Sequence, residues 1–193
     1  LERDLAARVL GQAQAVRRVA DTITTCKAGL NDPQRPIATL LFAGPTGVGK
    51  TVLVKALAEA FFPQRSEADR LARLDCSELA GPGGIERFLG SATQPSPFLD
   101  DLRAHPFRVV LFDEIEKAEP RFFDLLLGLL DEGRITDAFA RQTSFRSTVV
   151  IMTSNLGADT RPITGFDAAE RAEGRYLEAI EAYFRPEFIR RID

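Results

Sequence analysis

The eight residues Gly44-Pro45-Thr46-Gly47-Val48-Gly49-Lys50-Thr51 constrain this chain more than any other segment. They satisfy G-x-x-x-x-G-K-[ST] at every fixed position. In that spacing the glycines let backbone N–H groups turn inward around phosphate oxygens, while a helix opens with its positive dipole end toward the same anion. The flanks agree. Ile37 to Ala43 is a short apolar run that suits a buried parallel strand. From Val52 to Phe62 the apolar residues Leu53, Ala56, Leu57 and Ala60 recur at helical spacing and stop before Pro63. Strand, glycine turn and helix in that order make a nucleoside triphosphate the expected ligand. Lys50 would reach the β- and γ-phosphates as a point charge, and the Thr51 hydroxyl would ligate Mg²⁺. A glycine turn that merely joins strand to helix is the bland alternative, and the context on both sides argues against it.

Val109-Val110-Leu111-Phe112 runs straight into Asp113-Glu114. This reads as a buried strand whose carboxyl end delivers two carboxylates to the ligand crevice of an α/β sheet. Asp113 would hold Mg²⁺ through its water shell, and Glu114 would orient and deprotonate the attacking water. A strand ending in Asp-Glu is common by itself; beside the glycine loop it favours hydrolysis over binding alone.

Composition narrows the class. With 193 residues, 45% of them apolar, the chain can bury a substantial core in one domain. Its net charge is −3 and its basic residues are dispersed, so no basic stripe points to nucleic acid. No apolar run approaches membrane-spanning length and no leader pattern is visible, which makes the cytoplasm the expected location. Cys26 and Cys76 lack metal-type spacing and read as free thiols, and the single histidine, His105, precedes Pro106 in a loop. The chemistry therefore falls to carboxylates, Lys, Arg and Mg²⁺.

Along the chain, helical and strand patterns alternate. Leu1–Leu10 and Gln12–Leu30 read as helices broken at Gly11, the second with a face of Ala15, Val16, Val19, Ala20 and Ile23. Strands are expected at 71–75, 107–113 and 147–152, and helices up to about Leu89, over 98–104 and over 121–130. A hairpin or extended loop is expected around Gly133 to Asp137. Glu170 to Phe184 reads as an amphipathic helix with Tyr176, Leu177, Ile180 and Phe184 on one face, and Pro186 opens a last helix to the chain end. Thr153-Ser154-Asn155 ends its strand with polar residues that would emerge beside Glu114 if the two strands are neighbours. The alternation implies an α/β domain with a mostly parallel, helix-covered sheet.

Taken together, Val9-Leu10-Gly11-Gln12, Asp32-Pro33-Gln34-Arg35-Pro36, Gly44 to Thr51, Leu111 to Ala118, Leu130 to Asp137, Val149 to Gly157 and Phe184 to Asp193 resemble the AAA+ ATPases. Their wording is similar to the second ATPase module of the Clp disaggregase and unfoldase family, over nearly the whole chain. The resemblance implies a P-loop NTPase large subdomain with a mostly parallel five-stranded sheet covered by helices on both faces. It implies a Mg²⁺-dependent ATPase motor that remodels protein substrates in a ring, a hexamer for the full-length protein. It also implies site roles. Val9 and Leu10 would flank adenine, Asn155 would help Glu114 place the water, and Arg191 matches the arginine finger that reaches a neighbouring subunit's γ-phosphate. Read from the residues alone, Arg190 and Arg191 are also compatible with a solvated helix end.

Two departures stand out. The family carries a Gly-aromatic-Val-Gly loop that grips polypeptide in the pore, whereas this chain has only Ser91-Ala92-Thr93-Gln94-Pro95-Ser96-Pro97 between Gly90 and Phe98. Where the family usually has Asn before the finger, this chain has Arg190, which leaves open which arginine acts. The family continues into a helical lid beyond the match, so the sequence is expected to be a large subdomain without its lid, largely monomeric as it stands. A nucleotide-gated assembly or scaffold module that threads nothing is the competing reading, motivated by the missing aromatic. A DNA-directed machine is a third, disfavoured by the acidic balance.

Overall fold

A computed structural model describes residues 13–27, 29, 31–158 and 168–193 of the protein. Four strands, β1 (Ala38–Ala43), β2 (Leu71–Asp75), β3 (Val109–Asp113) and β6 (Val149–Ser154), form one parallel sheet in the order β1-β6-β3-β2. Two short strands, β4 (Arg134–Thr136) and β5 (Gln142–Ser144), make a separate antiparallel hairpin. The helices are α1 (Ala13–Lys27), α2 (Lys50–Phe61), α3 (Glu67–Arg70), α4 (Gly84–Leu89), α5 (Pro97–Ala104), α6 (Pro120–Glu132), α7 (Ala168–Tyr183) and α8 (Pro186–Ile189).

β3 and β6 are the central strands, and every residue in them is buried. Covered on both faces, they read as continuous apolar runs rather than as alternating ones. The alternation of their side chains nevertheless divides the core in two. Val110, Phe112, Val150 and Met152 face the layer built by α4 to α8, with Phe88, Phe122 and Phe184. Val109, Leu111, Val149 and Ile151 face the layer of α1 and α2, with Val16, Ile23, Leu53 and Leu57. The first layer is aromatic: Phe88 stands edge-on to Phe122 at 5.1 Å and to Phe112 at 6.2 Å.

The parallel sheet has four strands among the described residues, where five were expected. At the outer edge of β1 the pairing is by a single residue, with Asp193 donating its N–H to Thr39 O at 2.9 Å and Thr39 N–H donating to Asp193 Oδ2 at 2.8 Å. Three smaller expectations also fail. α8 is one turn, Pro186–Ile189, and Arg190 and Arg191 lie in the turn after it rather than in a helix reaching the end. Leu177 is 52% exposed, so it leaves the face that Ile180 and Phe184 bury. Phe107 precedes its strand and lies 49% exposed with the Arg65 guanidinium 5.8 Å over its ring. The expected helix over 1–10 lies outside the described residues.

Candidate nucleotide site at the carboxyl edge of the sheet

Strand order assembles the site. Because β6 lies between β1 and β3, the three segments leaving their carboxyl ends emerge side by side: Gly44 to Thr51, Asp113-Glu114 and Ser154-Asn155. The loop after β1 continues the ladder for one bond, Gly44 N–H to Ser154 O at 3.1 Å, and then turns away. Gly44, Gly47 and Gly49 adopt φ of 152°, 86° and 99°, and Gly49 is the N-cap of α2. A Cβ added at Gly47 or Gly49 would meet nothing within 4 Å, so the strained backbone there is not forced by crowding. These glycines leave an open concavity at a helix N-terminus, the shape that receives a phosphate.

Lys50 heads α2 and turns its amine back across the loop. It donates to Asn155 Oδ1 at 2.8 Å, to Pro45 O at 3.2 Å and to Gly44 O. Burial lowers its pKa, and Glu116, Asp113 and Glu114 pull the other way. A partly desolvated ammonium facing three carboxylates is an unusual charge density for a compact domain, and it fits the binding of a polyanion with a divalent cation.

Asn155 is the hub. Its Oδ1 accepts from Lys50, its Nδ2 donates to Glu114 Oε1 at 2.9 Å, and its N–H donates to Glu116 Oε1 at 3.0 Å. Thr46 Oγ1 also approaches Asn155 Oδ1, at 3.5 Å. Neighbouring Thr153 is fully buried; its hydroxyl donates to Asp113 Oδ1 and accepts from the Glu114 N–H at 3.0 Å. Asp113 Oδ2 takes a bond from Arg73 at 2.6 Å, so both of its oxygens are engaged. Glu114 stands at φ 54°, ψ 54°, a left-handed conformation costly for a residue with a Cβ. That backbone turn ends β3 and aims the carboxylate toward Asn155, while Lys117 Nζ donates to the other oxygen, Oε2.

Lys50, Glu114 and Asn155, expected at one site, are brought together. Asp113 joins them through Thr153, and Thr51 follows Lys50 in the first turn of α2. Val9 and Leu10 lie outside the described residues. Arg191 lies elsewhere, after α8, with its guanidinium on Asp131. Thr153, expected to emerge beside Glu114, does so, and three residues that sequence reasoning did not single out also shape the site: Arg73, Glu116 and Lys117. Lys117 had a local signal, three residues from Glu114; the others act across 39 or more residues of chain.

The residues from 35 to 193 match the family model described as AAA domain (Cdc48 subfamily). The chain belongs to the AAA domain family. Membership makes it a nucleotide-binding ATPase module. It is 45% identical to the chaperone protein ClpB 2 of Thermosynechococcus vestitus and 44% identical to the chaperone protein ClpB of Aquifex aeolicus. The chaperone protein ClpB 1 of a Nostoc species is 43% identical. In each comparison all of this chain is aligned, but it covers only 22%, 20% and 22% of those relatives, so it spans about a fifth of their length. Among the described residues of this AAA domain, no helix is long and apolar enough to cross a membrane. No group of three or more His, Cys, Asp or Glu side chains suited to a metal ion occurs among them either. A Mg²⁺ ion brought in with a nucleotide would need no such cluster, since one or two protein oxygens commonly hold it while phosphates and water complete its shell.

The segment where the resemblance expected a gripping loop is a closed turn. Ser91 N–H donates to Gln94 O at 2.8 Å, and Ser91 Oγ accepts from Gln94 N–H at 3.1 Å. Gly90 has φ 87°, and a Cβ there would lie 2.8 Å from Gln94 O. Buried Ser96 caps α5 by accepting from Leu99 N–H at 3.2 Å.

Proposed function

We propose that this domain hydrolyses ATP with Mg²⁺ as part of a ring-forming, ClpB-like protein-remodelling machine. The observation that carries it is the bridge through Asn155, which joins Lys50 of the glycine loop to Glu114 at the end of β3. Lys50 holds the β- and γ-phosphates. Glu114 accepts the proton of the attacking water, and the Asn155 amide fixes that carboxylate's direction. Thr51 and Asp113 would hold Mg²⁺, which neutralises charge on the phosphate oxygens when bound. Thr153 keeps Asp113 and the Glu114 backbone in register. Arg191, supplied by the neighbouring subunit, meets the charge that develops on the γ-phosphoryl group. Val9 and Leu10 flank the adenine. The ring is a hexamer, protein is its substrate, it acts in the cytoplasm, and neither nucleic acid nor membrane takes part.

The test uses the full-length protein. Lys50→Ala should weaken ATP binding at least tenfold in a nucleotide titration, since it removes the charge that meets the phosphates in the ground state. Unchanged affinity would remove the glycine loop as the nucleotide site.

A second reading is favoured by the closed turn at Ser91 to Pro97, which offers no aromatic side chain and is satisfied by its own hydrogen bonds. In that reading the ATPase gates assembly or a partner and threads no polypeptide. ATP-driven unfolding of a tagged stable protein discriminates. Unfolding that survives replacement of Ser91 to Pro97 by a Gly/Ser linker would sink the second reading, while unfolding that appears only after a Gly-Tyr-Val-Gly insertion would support it.

A further inference from the structure

The turn after α8 presents two consecutive arginines, and the fold treats them differently. Arg190 is exposed, and among the described residues its side chain has no hydrogen-bond or ion-pair partner. Arg191 is held. Its Nε donates to Asp131 Oδ1 at 2.7 Å and its Nη2 to Asp131 Oδ2 at 2.7 Å, while Nη1 donates to Glu187 O. This parallel two-bond pairing fixes the plane of a guanidinium as well as its position.

A solitary surface pair contributes little, so the surroundings decide what the pairing means. Asp131 stands in the last turn of α6, where the negative end of the helix dipole disfavours an anion unless cations neutralise it. Three arginines converge there. Arg35 Nε donates to Leu130 O at 3.0 Å and its Nη2 to Arg191 O at 2.9 Å. Arg146 donates to Glu132 O at 3.1 Å, and Arg191 takes Asp131 itself. The corner is tight: Gly133 caps α6 at φ 61°, and a Cβ on it would lie 2.4 Å from Gln34 O. Past Arg191 the main chain is tied to β1 by the Asp193 N–H to Thr39 O bond at 2.9 Å. Backbone and side chain of Arg191 are therefore both anchored, although the one-turn helix preceding it could anchor neither alone.

We propose that Asp131 is a positioning residue that pre-orients Arg191 for the nucleotide site of the neighbouring subunit; this rests on the in-trans reading of Arg191 above. The guanidinium remains usable. Three of its N–H donors are engaged, by Asp131 and Glu187, and an arginine has five, which leaves two for phosphate oxygens. Its side chain keeps 27% of its surface exposed. An arginine already fixed in direction loses less freedom when it meets the developing charge, and a misplacement of about 1 Å can cost roughly 100-fold in rate. The geometry also chooses between the two arginines: Arg191 is delivered in a set direction and Arg190 is not. α6 starts just beyond the Glu114 turn and carries Asp131 in its last turn, so one helix of 13 residues, about 20 Å long, ties a subunit's own carboxylate edge to the arginine it offers its neighbour.

The experiment is steady-state ATP hydrolysis by full-length rings, alone and with mixed subunits. Asp131→Asn should lower kcat about 10- to 100-fold while the KM for ATP moves by less than about twofold, and Asp131→Glu should restore part of the loss. Arg191→Ala should lose more, and Arg190→Ala little. Mixing decides the role. Subunits carrying Glu114→Gln have an intact Arg191 and a dead site, so they should rescue both Asp131→Asn and Arg191→Ala subunits. Asp131→Asn mixed with Arg191→Ala should recover nothing. Full activity of Asp131→Asn, or a loss that Glu114→Gln subunits cannot rescue although they rescue Arg191→Ala, would overturn the positioning role and leave the finger standing. If Arg191→Ala itself keeps full activity, or is not rescued by Glu114→Gln subunits, the in-trans reading falls and the role of Asp131 falls with it.

Discussion

The carboxyl edge of the sheet and the turn from Ser91 to Pro97 are both polar, both compact and both hydrogen-bonded, yet they are bonded to different things. At the sheet edge the partners come from far apart in the chain: Lys50 with Asn155, Asn155 with Glu114, Thr153 with Asp113. In the turn the partners are two or three residues apart, Ser91 with Thr93 and Gln94. The first arrangement exists only when the sheet is assembled, and it holds Glu114 in a backbone conformation that no local preference supports. The second is a local closure that satisfies itself. At the sheet edge charged groups are held close by distant parts of the chain, whereas the turn satisfies its polar groups within itself.

The largest effect that would break this comparison is on the rate. Glu114→Gln keeps the side-chain shape and the bond from Asn155 but cannot take a proton, so turnover should fall by about 10² to 10⁴ with nucleotide binding retained. Hydrolysis at the original rate would show that another group activates the water. Next comes stability. Phe88 pins the amino side of the turn by packing on Phe98, Phe112 and Phe122, at 5.9, 6.2 and 5.1 Å. Phe88→Ala should therefore cost about 3 to 5 kcal/mol in denaturant unfolding. A loss below about 1 kcal/mol would mean that the turn is held by its hydrogen bonds and not by its aromatic ends.

Ser96→Ala sharpens the same point at smaller scale. Removing the cap of α5 should cost about 1 kcal/mol in the same unfolding measurement and leave ATP hydrolysis unchanged. An altered rate would couple the turn to the site. The smallest expected effect concerns acid. The Ser77 hydroxyl and N–H bond to Asp75 and hold its carboxyl below the usual carboxylate range. A depressed folded-state pKa contributes stability that is complete above the unfolded value, about 4, and is lost as pH falls through the folded one. Asp75→Asn should therefore flatten the acid limb of the stability profile measured by thermal unfolding. An unchanged limb would assign that sensitivity to other carboxylates.

Much of the fold was legible because its signals are local. β2 spans Leu71 to Asp75, as the apolar pattern indicated, and α2 follows directly from the glycine loop. α5 and α6 each open one residue earlier than expected, at Pro97 and Pro120, and α6 runs two residues further, to the Gly133 cap. The strand boundaries that moved did so for packing reasons: Phe107 was drawn out of β3 by solvent exposure and Arg65, and β6 carried on through polar Thr153 and Ser154 because both are buried against neighbouring strands. A strand can continue through hydroxyl residues when the sheet satisfies them, which composition does not announce.

By itself the sequence determined the ligand class and the chemistry on offer. A glycine loop with Lys50 and Thr51, and a strand ending in Asp113-Glu114, carry their meaning within a few residues, because backbone conformation and charge are set locally. Only the tertiary structure decided which groups act on one another. Insertion of β6 between β1 and β3 placed Asn155 against both Lys50 and Glu114, and Thr153 against the Asp113 carboxylate and the Glu114 N–H. The corner at the end of α6 gave Arg191 a partner and, among the described residues, gave the Arg190 side chain none. Strand order and helix-end packing join residues tens of positions apart, and no short-range pattern encodes such contacts until the core beneath them is closed.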